Sequence, residues 1–234
     1  MKIIKCKTAD EIALLCANKI LDLLKENDHT ILGLATGSTP VKTYQKLIEL
    51  SKKENVSFKN VKSFNLDEYV AYKKEEDSYK FFMYDNLFKH IDINLDNTHF
   101  PNENLLEKYD EQIEAAGGVD LQVLGIGANG HIAFNEPNTP FDSKTHIVNL
   151  TQKTIEDNAR FFDSINDVPT QAITMGLATI MKSKEIILIA TGKNKANAIN
   201  ALVNEKPSPS CPASILQNHP NVTIYVDDEA ASNL

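Results

Sequence analysis

From residue 119 to residue 137 the chain reads VDLQVLGIGANGHIAFNEP, and this stretch constrains the fold more than any other. A largely apolar run, 119–126, ends in Gly125, Gly127 and Gly130. His131 follows the last glycine, and Glu136 comes five residues later. A buried strand that ends this way delivers a bare backbone turn and an acid–base pair to one place, because glycine lets a ligand approach the backbone closely. In open α/β sheets such turns lie at the carboxyl ends of strands, where ligands bind. Something other than a nicotinamide cofactor is expected here.

The rest of the chain alternates between strand-like and helix-like stretches. Strands are predicted at 2–6, 30–35, 61–66, 119–126, 185–190 and 222–226. Helices are predicted at 9–26, about 40–51, 79–90, 104–115, 170–182 and 193–204, with Thr8 as a cap for the first. This order predicts an α/β fold of three layers, α/β/α, around a mostly parallel central sheet with right-handed crossovers. A chain of 234 residues, 42% hydrophobic, is long enough to bury a full core. No repeat or linker divides it, so residues 1–234 read as one α/β domain. The segment 139–169 is polar and weakly patterned, as a mobile lid over a site would be.

A net charge of −8 argues against a nucleic-acid partner, which needs a basic face. It leaves room for a locally positive pocket and an anionic small molecule. Cys6, Cys16 and Cys211 are scattered, without a CxxC or a Cys/His cluster, so neither a disulfide framework nor a metal site is expected. No stretch has the length of a membrane span or the form of a secretory signal, and a cytoplasmic location is the expectation.

Chemistry-bearing residues follow several predicted strands. After 30–35 comes LATGSTP, where Gly37 permits a tight turn and Ser38 and Thr39 add hydroxyls at a helix start. Free N–H groups there attract phosphate, although an ordinary capped turn has the same appearance. Arg160 is the only arginine among 24 basic residues. Its planar fork suits phosphate oxygens; a solitary exposed arginine is the alternative. Lys195 stands in the first turn of a predicted helix, where a cation is disfavoured unless an anion sits nearby, and Lys193 is an equal candidate. Asp67 and Glu68 end the strand 61–66. Asp67 is a candidate general base, a solvated acid or a helix cap. His131 can exchange protons near neutral pH, and Glu136 can fix its tautomer; a buried structural histidine is the competing reading.

The motifs LATGSTP (34–40), FNLDEYV (64–70), LGIGANGHIAFNEP (124–137), NARFF (158–162) and TGKNKA (191–196), in this order, resemble the glucosamine-6-phosphate deaminase (glucosamine-6-phosphate isomerase) family. That family has a modified Rossmann-like, sugar-phosphate isomerase-like fold. The resemblance implies a hydrolase that converts glucosamine 6-phosphate and water to fructose 6-phosphate and ammonia, without a metal or organic cofactor. Gly37, Ser38, Thr39, Arg160 and Lys195 would hold the phosphate. Asp67 would move a proton between C2 and C1, and His131, supported by Glu136, would open the sugar ring. Some members have a second aspartate just before Gly-His; here Asn129 stands in its place. It can orient groups but adds no charge, which implies an altered pH dependence. Allosteric members have an arginine and a lysine where this chain has His146 and Val148, and they continue past the last strand. A short, non-allosteric form is expected, monomeric or weakly homo-oligomeric. The alternatives are a 6-phosphogluconolactonase, which typically lacks the Phe-Asn-Glu-Pro continuation, and a sugar-phosphate-sensing domain of the same fold.

Overall fold

The apolar side chains of the central strands divide between two faces. On β2 (Ile31–Leu34), β6 (Leu121–Gly125), β9 (Glu185–Ala190) and β10 (Val222–Asp227), one set of alternate positions packs in one core and the other set in a second. Leu32, Leu34, Leu121, Val123, Ile187 and Ile189 face α1 (Ala9–Glu26) and α2 (Ser38–Glu54). Ile31, Leu124, Ile186, Leu188, Ile224 and Val226 share the other core with residues of α4 (Leu106–Ala116), α6 (Leu177–Ile180) and α7 (Ala196–Asn204). Burial on both faces is why these strands read as nearly continuous apolar runs. Helix α1 shows the local logic: Thr8 accepts a hydrogen bond from the Glu11 N–H, Asp10 and Glu11 lie in the first turn, and Lys25 lies in the last. The structure is a computed structural model that describes residues 1–234, the side chains of residues 105 and 107 excepted.

With β1 (Lys2–Cys6), β3 (Lys62–Asn65) and β5 (Thr98–His99), these strands form a seven-stranded sheet in the order β1-β10-β9-β6-β2-β3-β5. Every pair in it is parallel. The expected three-layer fold is therefore present. From β2 the chain first builds outward through β3 and β5, then returns to add β6 on the other side of β2. The carboxyl ends of β2 and β6 thus flank the switch point, where open sheets bind ligands.

A second sheet was not foreseen. It has three antiparallel strands, β4 (Asp67–Tyr69), β8 (Gln171–Thr174) and β7 (His146–Asn149), with β8 in the middle. Leu66 joins the two sheets: its N–H bonds the Leu34 carbonyl, and its own carbonyl accepts the Met175 N–H. Asp67 and Glu68 therefore open β4 instead of ending a strand of the main sheet.

The predicted helix 170–182 is corrected: its first part is β8, and only the short α6 is helical. Ala172, Ile173, Thr174 and Met175 are all buried, so they carry neither a helical nor an alternating signal. Residues 139–169 are also more ordered than their pattern suggests, and hold β7 and α5 (Gln152–Asn158). The helices predicted at 79–90 and 193–204 are each part 3-10: α3 is Tyr79–Asn86, and α7 begins only at Ala196.

Candidate active site

Loops after β2, β3, β6 and β9 converge on a cleft of about 600 Å3. Gly37, Ser38, Thr39, Asp67, His131, Arg160 and Lys195 all line it, so one cavity unites most of the residues singled out from the sequence. Glu136 and Asn129 are not on the wall; they contact His131 as described below. A neighbouring cavity of about 240 Å3 shares Gly37, Tyr79, Asn158 and Arg160 but contains none of the acid–base groups.

The cationic end starts from α2. Gly37 caps this helix with φ of +87°, in the left-handed region that glycine adopts without strain. No side chain caps the helix, and its first N–H groups are left for a ligand. Arg160 reaches over from the far side, and its Nη2 donates to Ser38 Oγ at 3.2 Å. Lys195 stands after β9, in a 3-10 turn (Lys193–Lys195) that leads into α7. Burial lowers the pKa of its ammonium, Asp157 offsets part of this, and the charge of Arg160 adds to it. Two cations that disfavour one another beside a free helix start are matched to an anion.

The acid–base end has two carboxylates in opposite surroundings. Asp67 is 6% exposed. Its one side-chain hydrogen bond among the described residues comes from the Thr36 hydroxyl, at a long 3.4 Å. Burial, and then the charge of Glu68, push its pKa up to about 8. Glu68 points away and accepts the N–H groups of Tyr69, Tyr79 and Lys80 at 2.8–2.9 Å, which anchors the start of α3 to β4. The N-cap of α3 itself is Ser78, whose hydroxyl accepts the Phe81 N–H, so the cap role that the sequence left open for Asp67 is not taken by it.

Glu136 has partners where Asp67 has almost none. Its Oε2 accepts from Asn129 Nδ2 at 2.7 Å, and its Oε1 accepts from the Thr154 hydroxyl at 2.5 Å. His131 Nδ1 lies 3.6 Å from Oε2, an ion-pair distance just beyond hydrogen-bond length. Burial alone would raise the Glu136 pKa; the imidazole of His131, then Thr154 and Asn129, outweigh it and hold the carboxyl at about 2. The Asn129 side-chain oxygen Oδ1 also accepts the His131 backbone N–H at 3.2 Å, so Asn129 braces both members of the pair.

The glycines of this turn allow the imidazole its position. A Cβ on Gly127 would lie 2.2–2.5 Å from three atoms of the His131 ring. Gly125, Gly127 and Gly130 also keep the spacing of a dinucleotide fingerprint. In that motif the last glycine opens a helix that receives the pyrophosphate. Here the chain beyond Gly130 stays non-helical until α5 begins at Gln152.

Sequence reasoning missed Thr36, Tyr79, Thr154 and Asn158, which also line the cleft. Thr36 and Asn158 lie within the LATGSTP and NARFF motifs and Tyr79 and Thr154 in none, but the role of each is set by a partner outside its own motif: Thr36 with Asp67, Thr154 with Glu136, and Tyr79 and Asn158 with the Tyr69 hydroxyl. Among the described residues no group of three or more His, Cys, Asp or Glu side chains is arranged to hold a metal ion. Nor is any helix among them long and apolar enough to cross a membrane.

The fold and cleft define an α/β enzyme of the sugar-phosphate isomerase-like class. More narrowly, the chain belongs to the family of glucosamine-6-phosphate isomerases and 6-phosphogluconolactonases, whose model matches residues 5–225. It is 50% identical to the glucosamine-6-phosphate deaminase of Thermoanaerobacter pseudethanolicus, with 99% of this chain and 94% of that one aligned. Identity to the deaminase of Mycoplasma mycoides is also 50%, over 100% of this chain and 98% of that one. The solved structure of a monomeric glucosamine-6-phosphate deaminase, 44% identical, superposes with a TM-score of 0.97 over the whole of both chains. A 6-phosphogluconolactonase from Trypanosoma cruzi has the same fold, with a TM-score of 0.75 at 22% identity over 100% of this chain and 96% of that one.

Proposed function

We propose that this chain converts glucosamine 6-phosphate and water to fructose 6-phosphate and ammonia. The observation that carries the reading is the single cleft, with an anion cradle at one end and a proton-hungry carboxylate and a histidine at the other. Full-length identity of about half to deaminases supports it. The N–H groups at Gly37–Thr39, the Arg160 fork and the Lys195 ammonium hold the phosphate. His131 takes the anomeric hydroxyl proton and returns it to the ring oxygen, which opens the pyranose. Glu136 stays ionised and orients the imidazole, with Asn129 as brace. Asp67 removes the C2 proton to give an enolamine and delivers it to C1; the resulting imine adds water and releases ammonia. Burial suits Asp67 to this task, since a base must bind a proton well to remove it from carbon. Residues 1–234 act as one domain in the cytoplasm, as a monomer or weak homo-oligomer, with residues 139–169 as a lid.

Regulation by a second sugar phosphate is not part of this reading. His146 Nδ1 bonds the Lys144 carbonyl at 2.7 Å, and Val148 packs beside the Tyr69–Phe134 cluster, so neither supplies the fixed charges that a second phosphate needs. N-acetylglucosamine 6-phosphate is accordingly expected to leave the substrate saturation curve unmoved. The reading is tested by a coupled assay for ammonia and fructose 6-phosphate from glucosamine 6-phosphate, with hydrolysis of 6-phosphogluconolactone measured alongside. Equimolar products and no lactone hydrolysis are expected; lactone hydrolysis without ammonia release would reverse the assignment.

A further inference from the structure

Three side chains of one short segment reach out to the body of the protein. Thr154 bonds Glu136 at 2.5 Å, Asn158 bonds the Tyr69 hydroxyl at 2.9 Å, and Arg160 bonds Ser38 at 3.2 Å. Thr154 and Asn158 are one helical turn apart on α5, so one face of that helix carries both. Arg160 lies just beyond, in the 3-10 turn Ala159–Phe161. The segment that brings the guanidinium to the phosphate end of the cleft therefore also brings a hydroxyl to the carboxylate behind the histidine.

The direction of the bonds is fixed by chemistry. An ionised carboxylate only accepts, so the single Thr154 hydroxyl proton points to Glu136. Thr151 Oγ1 lies 2.9 Å from Thr154 Oγ1 and must then be the donor of that pair. Thr151 is also the N-cap of α5, and its oxygen accepts the Thr154 N–H at 3.2 Å. The cap of the segment's helix thus continues as a donor chain, Thr151 to Thr154 to Glu136, in which each bond polarises the next. Thr154, the middle of this chain, is 7% exposed, while Thr151 at its outer end is exposed.

We propose that Thr154 is a positioning residue for Glu136, delivered by the segment that carries Arg160, so that gripping the substrate's phosphate also sets the carboxylate that orients His131. The inference rests on the deaminase reading and adds a residue to it. It makes phosphate binding and acid–base alignment one event: energy from the unreactive end of the substrate is used at the reacting end. Arg160 acts on the ligand directly; Thr154 acts only through Glu136.

The test is a double-mutant cycle on kcat and KM with glucosamine 6-phosphate. Thr154→Val keeps the shape and removes the proton; Thr154→Ser keeps the hydroxyl. Thr154→Val is expected to lower kcat by about tenfold to a hundredfold, the worth of one hydrogen bond to a charged group, with KM within about threefold. Thr154→Ser should recover most of the loss. In a Glu136→Gln background Thr154→Val should cost less than about threefold, because its partner's charge is already gone. Additive losses, or a Thr154→Ser enzyme as slow as Thr154→Val, would overturn the proposal, and so would a Thr154→Val enzyme with full kcat. If Thr154→Val does not fold, Thr154→Ser alone and with Glu136→Gln decides: near-parent kcat in the single variant and no further loss in the double support it, and a large additive loss sinks it. A parent enzyme that releases no ammonia would instead bring down the deaminase reading itself.

Discussion

The β3–β4 junction presents a buried carboxylate to the cleft, the turn after β6 holds a half-buried one behind the cleft's histidine, and the two are treated in opposite ways. At the junction Asp67 has one long hydrogen bond, lies beside the like charge of Glu68, and is pushed up to about 8. At the turn Glu136 has Asn129, Thr154 and the His131 imidazole around it and is held at about 2. The difference assigns the work. A carboxyl that must capture a proton from carbon is left without the donors that would stabilise its charge. A carboxyl that must stay charged beside an imidazole is surrounded by them.

The comparison breaks most visibly at Asp67. Asp67→Asn should lower kcat by about three orders of magnitude, the contribution of a positioned general base, with KM changed little. Steady-state kinetics with glucosamine 6-phosphate checks this, and near-normal turnover would remove Asp67 as the base. Glu136→Gln should cost less, about tenfold to a hundredfold in kcat, because His131 remains and only its partner's charge is lost. An equal or larger loss than at Asp67 would erase the distinction between the two carboxylates. Arg160→Lys should act mainly on KM, about tenfold upward, because a lysine keeps the charge but loses the fork. A pure kcat effect would move Arg160 from the phosphate to the chemistry.

The smallest effects come from pH. Asp67 must be ionised to act, so kcat/KM of the free enzyme should climb as pH rises through about 8. Stability should run the other way. The folded state holds this proton more tightly than an unfolded aspartate, whose pKa is about 4. Its favourable contribution is therefore complete below about pH 4 and is lost as pH rises through about 8. Asp67→Asn should consequently melt several degrees above the parent at pH 9, with the gap shrinking toward pH 4. Differential scanning calorimetry across that range reads the trend, and a gap independent of pH would contradict the raised value.

The sequence was most legible where burial is symmetrical. Strands covered on both faces, such as 185–190, announce themselves as apolar runs, and the glycines at 37 and 125–130 mark the turns that end them. What stayed hidden depends on contacts between distant segments. The small antiparallel sheet joins residues 67–69 to 171–174, about a hundred positions apart, and its middle strand is too uniformly buried to show a period. The cleft lining was read at Asp67, His131, Arg160 and Lys195 because each stands beside a glycine turn, at a strand end or as an isolated arginine. Thr154 has no such mark: its partner Glu136 precedes it by 18 residues, and only the fold brings them together.

The most direct test of the contrast between the two carboxylates follows the C2 proton of glucosamine 6-phosphate in D2O by NMR, in parent, Asp67→Asn and Glu136→Gln enzymes saturated with substrate. Substrate C2–H is expected to be consumed or exchanged rapidly by the parent, more slowly by Glu136→Gln, and not measurably by Asp67→Asn despite retained binding. Exchange at the parent's rate in Asp67→Asn would show that another group takes that proton.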